Sequence, residues 1–95
     1  MHYIAIIHKE RGSAYGVSFP DVPGVIASAP SLDEALHEAA DALAFAAEDW
    51  EQRTGARFPY PRSLDALSDD PDFSLQAEGA VVAAVPLKAH AGEAI

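Results

Sequence analysis

Apolar positions divide the chain into a strand-rich opening, one long amphipathic helix and a less regular remainder. Tyr3-Ile4-Ala5-Ile6-Ile7-His8 is dense in β-branched and aromatic side chains, which predicts a first strand. Lys9-Glu10-Arg11-Gly12-Ser13 reads as a polar turn in which Gly12 can take positive φ. In Tyr15-Gly16-Val17-Ser18-Phe19 large and small side chains alternate, so Tyr15, Val17 and Phe19 share one face of a second strand. Pro20-Asp21-Val22-Pro23-Gly24 ends that strand and reverses the chain into a short third strand, Val25 to Ala29. Connections this short favour an antiparallel meander.

The period then changes. Pro30-Ser31-Leu32-Asp33-Glu34 is a helix start: Ser31 can cap the N3 amide, Glu34 can reach back to the amide of Ser31, and Asp33 and Glu34 sit at the positive end of the helix dipole. Leu32, Leu36, Ala39, Leu43, Ala46 and Trp50 make one stripe at helical spacing, and Gly55 is a natural stop. A helix from residue 32 to 53 is roughly 33 Å long, enough to cross a small sheet. Beyond it, Phe58-Pro59-Tyr60-Pro61 suggests an extended segment laying aromatic rings on the core edge, Ser63 to Leu67 a short helical turn, and Ser68-Asp69-Asp70-Pro71-Asp72 a loop. Ala80 to Leu87 is apolar and β-branched enough for a last strand, and Lys88 to Ile95 has no pattern. The expected fold is α+β, in βββαβ order, with one helix packed on an antiparallel sheet. It forms a single domain over residues 1–95, with its core at about residues 3–87.

Ninety-five residues bury one modest core. With no cysteine, disulfides and thiolate chemistry are excluded, in keeping with a reducing cytoplasm. No apolar run approaches the ~20 residues of a membrane span, and the strand pattern begins too early for a signal peptide, so a soluble cytoplasmic protein is expected. Fifteen acids against six bases give a formal charge of −9. That balance opposes nucleic-acid binding by this chain. It suits a basic partner, and it suits plain solubility equally.

Candidate chemistry is sparse. None of the four histidines, His2, His8, His37 and His90, is spaced as a metal ligand with another. The βββαβ order is similar to that of the ribonuclease H fold, whose two-metal chemistry needs converging carboxylates. Here the first strand has none, Asp21 lies in a turn, and Glu34, Glu38 and Asp41 share a helix face. Such a row is commonly solvated, so catalysis is unsupported, and no metal or cofactor is expected. Gly12 and Gly16 do not make a phosphate cradle. From Asp33 to Glu51 every charged side chain is acidic, and Arg53, Arg57 and Arg62 follow at and beyond the helix end. The unpaired edges of a small sheet are a further candidate surface, for a homo-oligomer or an added strand.

Tyr15-Gly16-Val17-Ser18-Phe19-Pro20-Asp21-Val22-Pro23-Gly24, then Ser31-Leu32-Asp33-Glu34-Ala35-Leu36 and Ala39-Ala40-Asp41-Ala42-Leu43, resemble the HicB-like antitoxins, as does Pro59-Tyr60-Pro61. The likeness covers residues 3 to about 87. It implies a partly trimmed ribonuclease H-like fold without the active-site carboxylates. It further implies an antitoxin that binds a small basic toxin, HicA, and covers the face with which that toxin cleaves mRNA. On this reading Asp21, Glu34, Glu38 and Asp41 are the electrostatic part of the interface. Two features depart from the family. Ala29-Pro30 stands where members commonly have glycine, and the DNA-binding module that many members carry after this domain is not expected here, so operator binding is expected to be absent from this chain or supplied by another protein. The other readings are a metal-dependent nuclease remnant and a stand-alone homodimeric binding module.

Overall fold

The computed structural model describes residues 1–9, 12 and 14–88. The expected turn residues Glu10, Arg11 and Ser13, and the tail from residue 89 on with His90, lie outside the described residues. Four strands form one antiparallel sheet: β1 (His2–Lys9), β2 (Tyr15–Ser18), β3 (Ile26–Ala29) and β4 (Val81–Pro86). Their order is β3-β2-β1-β4, so the first three make the expected meander and the fourth returns beside the first. Register follows the alternation of side chains. Ile7 faces Val17 and Val17 faces Ala27, all on one side, while Ile6, Ser18 and Ile26 align on the other.

Helix α1 (Leu32–Thr54) lies across the first of these sides. The Ser31 hydroxyl accepts from the Glu34 amide at 3.2 Å and donates to the Glu34 carboxylate at 2.9 Å. The glutamate thus reaches back to the cap hydroxyl, where the sequence suggested the cap amide. Gly55 closes the helix at φ 76°, with its amide donating to the Glu51 carbonyl, a conformation that costs glycine little. The buried stripe keeps Ala39, Leu43 and Ala46 of the expected one and differs at its larger members. Ala35, Ala39, Ala40, Leu43 and Ala46 are buried, whereas Leu32 is 36% exposed and Leu36 and Trp50 are half-buried. Alanines let the helix axis come close to the strands, so the seam runs along small residues and the larger ones flank it. With Tyr3, Ala5, Val17, Phe19 and Val85 they form the main core.

The segment after α1 packs back as expected. Phe58 sits edge-on to both Tyr3 and Trp50, at ring-centre distances of 5.7 and 5.4 Å, and the buried Tyr3 hydroxyl donates to the Pro59 carbonyl at 2.6 Å. Tyr60 instead is exposed. The turn expected at Ser63 to Leu67 is α2 (Leu64–Ser68), capped by Ser63. The expected loop that follows is corrected in part: Asp70 caps a third helix, α3 (Pro71–Ala77), with proline at its start. Proline lacks only an amide that the first helical turn leaves unpaired anyway, and its φ is already helical. The short helices cover the second side of the sheet at one end, where Leu67 and Phe73 bury Ile6. The element order is therefore βββαααβ. No described helix is long and apolar enough to cross a membrane.

Candidate functional site

The β2–β3 turn is held from both ends. Val22 and Val25 are buried plugs, their amides donating to the Phe19 and Val22 carbonyls. Between them and the strand, Asp21 points inward with a side chain 8% exposed. It accepts two hydrogen bonds from Arg62, from the amide and from Nε, both at 2.7 Å. Arg62 Nη1 reaches Asp70 at 3.1 Å, the residue that caps α3. One guanidinium thus ties the turn to the start of the third helix. Its hydrogen bond holds the Asp70 carboxyl below the usual carboxylate range, helped by the Asp72 amide, and the two carboxylates hold Arg62 above its own.

The other three acids of the expected interface lie on α1. At about 100° per residue Glu34, Glu38 and Asp41 span about 60° of its circumference, and all three are exposed. Glu34 is engaged with its cap serine, and Asp41 with His37 at 3.5 Å and Lys88 at 3.1 Å. Structure therefore gathers Glu34, Glu38 and Asp41 into one row and gives Asp21 an internal partner. Downstream the row continues through Glu48 and Asp49, both exposed. Among the described residues no group of three or more histidine or acidic side chains is placed to hold a metal ion.

One residue of this face has no counterpart in the sequence reading. Phe45 is 74% exposed, on the same arc as the acids. Its helical neighbours at four residues before and after are Asp41 and Asp49, and at three residues after, Glu48. Beside it a shallow hollow of about 490 Å³ opens between α1 and the β2–β3 turn, with Pro23, Val25, Ala42 and Trp50 in its wall. Asp49 leaves helical geometry, at φ −124° and ψ 16°, and pairs with Arg53 at 3.6 Å. Arg53 lies over the Trp50 ring at 5.2 Å and closes one end of the hollow. An aromatic residue off the buried stripe, bracketed by acids at helical spacing, was the available signal for Phe45.

Fold and site together define a small acidic domain of the helix-on-sheet type whose candidate site is a charged surface. The family model of the HicB-like antitoxins of bacterial toxin–antitoxin systems matches residues 3–92, and the chain belongs to that family. Among solved structures, the N-terminal domain of antitoxin HicB from Burkholderia pseudomallei superposes with a TM-score of 0.72 at 28% identity, covering 93% of this chain and 99% of that one. The longer HicB chain from the same organism gives 0.69 at 28%, covering 90% of this chain and 62% of that one, so this chain spans under two thirds of its length. A HicA3–HicB3 toxin–antitoxin complex shares the fold, with a TM-score of 0.69 at 22% identity, over 90% of this chain and 96% of that one. Curated proteins gave no match.

Proposed function

We propose that this domain neutralises a small basic mRNA-cleaving toxin of the HicA type by binding it directly and covering the face that engages RNA. The observation that carries the reading is the coincidence of family membership with an exposed, predominantly acidic helix face on a chain of net charge −9. A protein that holds RNA presents Lys and Arg to phosphate. A surface of opposite sign, offered in the same place, is attracted to those groups and excludes the RNA. No catalytic step by the antitoxin is required. The proposed contacts are Glu34, Glu38 and Asp41, with Asp21 acting through the turn it holds in place. The complex would form in the cytoplasm, where mRNA is found, and the surplus of exposed acids leaves this domain no DNA-binding role.

The HicA3–HicB3 toxin–antitoxin complex, which contains a chain of this fold, supports a toxin of the HicA type as the partner. The β4 edge is the proposed route to a homo-oligomer. Val81 and Val82 are exposed there and no charged residue interrupts Val81–Pro86, whereas guarded edges carry charges.

The test is a titration against the small basic protein encoded beside this gene, with RNA cleavage followed in the same mixture. Tight binding that weakens steeply with salt and stops cleavage is expected. A folded, active neighbour that ignores this protein would overturn the reading.

A further inference from the structure

We infer that Phe45 is the anchor of the partner interface, and that its occupant is a basic protein surface presenting an apolar depression rimmed by Lys or Arg. The inference rests on the antitoxin reading and names the surface that reading uses. Phe45 is far more exposed than any other aromatic residue of α1. A ring of its size can bury on the order of 150–250 Å² with little loss of rotamer freedom. Interfaces concentrate their binding energy in such central aromatic side chains, with charged groups around them.

The surroundings decide which partner fits. Asp41, Glu48 and Asp49 flank the ring at helical spacing, and Glu38 lies two turns before it on the same arc. The ion pairs of Asp41 and Asp49 are exposed, at 3.1–3.6 Å, and surface pairs of this kind are weak enough to be exchanged for a partner's cations. The adjoining hollow gives an incoming side chain an apolar wall in Ala42 and Trp50. A second copy of this chain is the wrong occupant. It also carries −9, and pairing β3 to β3 would set two α1 acid rows side by side on one face of the joined sheet.

The experiment compares Phe45→Ala, the double variant Asp41→Asn/Asp49→Asn, and Leu75→Ala in binding to the adjacent basic protein at several salt concentrations. Leu75 is 73% exposed on α3, across the sheet from α1, and controls for the loss of any surface apolar group. Expected are a loss of about thirtyfold or more for Phe45→Ala, mainly as faster dissociation, with its salt slope kept. The double variant should show a shallower slope and slower association, and Leu75→Ala wild-type binding. Phe45→Ala binding within about twofold of wild type overturns the anchor while leaving the antitoxin reading intact. A change of oligomeric state by light scattering, with toxin affinity unchanged, overturns it in favour of self-association. Failure of the wild-type protein to bind removes the antitoxin reading and this inference with it.

Discussion

Tyr3→Phe isolates one interaction that joins the central strand to the segment after α1. The ring of Tyr3 is 1% exposed and packs edge-on to Phe58, and phenylalanine keeps that packing. Only the hydroxyl, 2.6 Å from the Pro59 carbonyl, is lost. A typical intramolecular hydrogen bond contributes about 0.5–1.5 kcal/mol net, and an acceptor left unpaired raises the cost toward about 3 kcal/mol. Pro59 is only half-buried, so water can reach its carbonyl and the cost should fall near the low end, about 1 kcal/mol. For a domain of this size that lowers Tm by about 4–8 °C. In urea the midpoint should move by about 0.5 M with an unchanged slope.

Alkaline pH gives a second readout of the same group. Burial, then the nearby Asp21 and Tyr60, hold the Tyr3 hydroxyl above the ordinary tyrosine value. The folded state therefore keeps this proton longer than the unfolded chain. Its contribution is complete below about pH 10 and is lost as pH rises through the folded value. The wild-type protein should lose stability more steeply above about pH 10 than Tyr3→Phe does. Equal melting curves for the two proteins at neutral pH, with parallel alkaline limbs, would refute the role assigned to this hydroxyl.

Three further outcomes are expected. Leu43→Ala empties a fully buried position of the alanine-lined seam and should cost about 2–5 kcal/mol by thermal or urea unfolding; less than about 1 kcal/mol would mean the seam collapses to fill the space. Arg62→Gln should lower Tm at neutral pH. Because Arg62 depresses the Asp70 carboxyl, that contribution is present above the unfolded value of about 4 and lost as pH falls through the folded one. The gap to wild type should therefore narrow in acid, and a pH-independent gap would refute the link. Gly55→Ala meets no neighbouring atom but must hold φ 76°, so a loss of about 1 kcal/mol is expected, and a neutral result would show that the helix end rearranges.

What the sequence made legible was local. Ser31 and Gly55 bound the long helix because capping chemistry acts over three or four residues, β1 followed from its β-branched and aromatic density, and β2 and β3 from side-chain alternation and a proline-framed turn. The third helix was hidden because Asp70-Pro71-Asp72 suits a loop and a helix start equally. The expected stripe held at Ala39, Leu43 and Ala46, with Leu36 and Trp50 packed on its flanks; Leu32 is exposed, and Ala35 and Ala40 join the seam because close helix–sheet approach selects alanine. Of the expected interface, the row Glu34, Glu38 and Asp41 is periodic and could be read directly. The Arg62 partner of Asp21 lies 41 residues away and leaves no periodic trace. Phe45 is not marked by its residue type, since a helix phenylalanine suits a core as well as an exposed anchor.

The sheet order carries a kinetic consequence. β1 is an inner strand, yet its second neighbour is β4, with His2 opposite Pro86. On a ribosome, the first three strands and α1 are complete while that flank of β1 still offers unpaired backbone. At about 5–20 residues per second the interval between the end of α1 and the end of β4 is roughly 2–6 s. During that time Ile4 and Ile6 lack the cover that later elements supply, and the nascent chain is most open to misassociation. The outer face of α1 is synthesised before the gap closes, so a partner already present could be engaged while translation of the same chain is still under way.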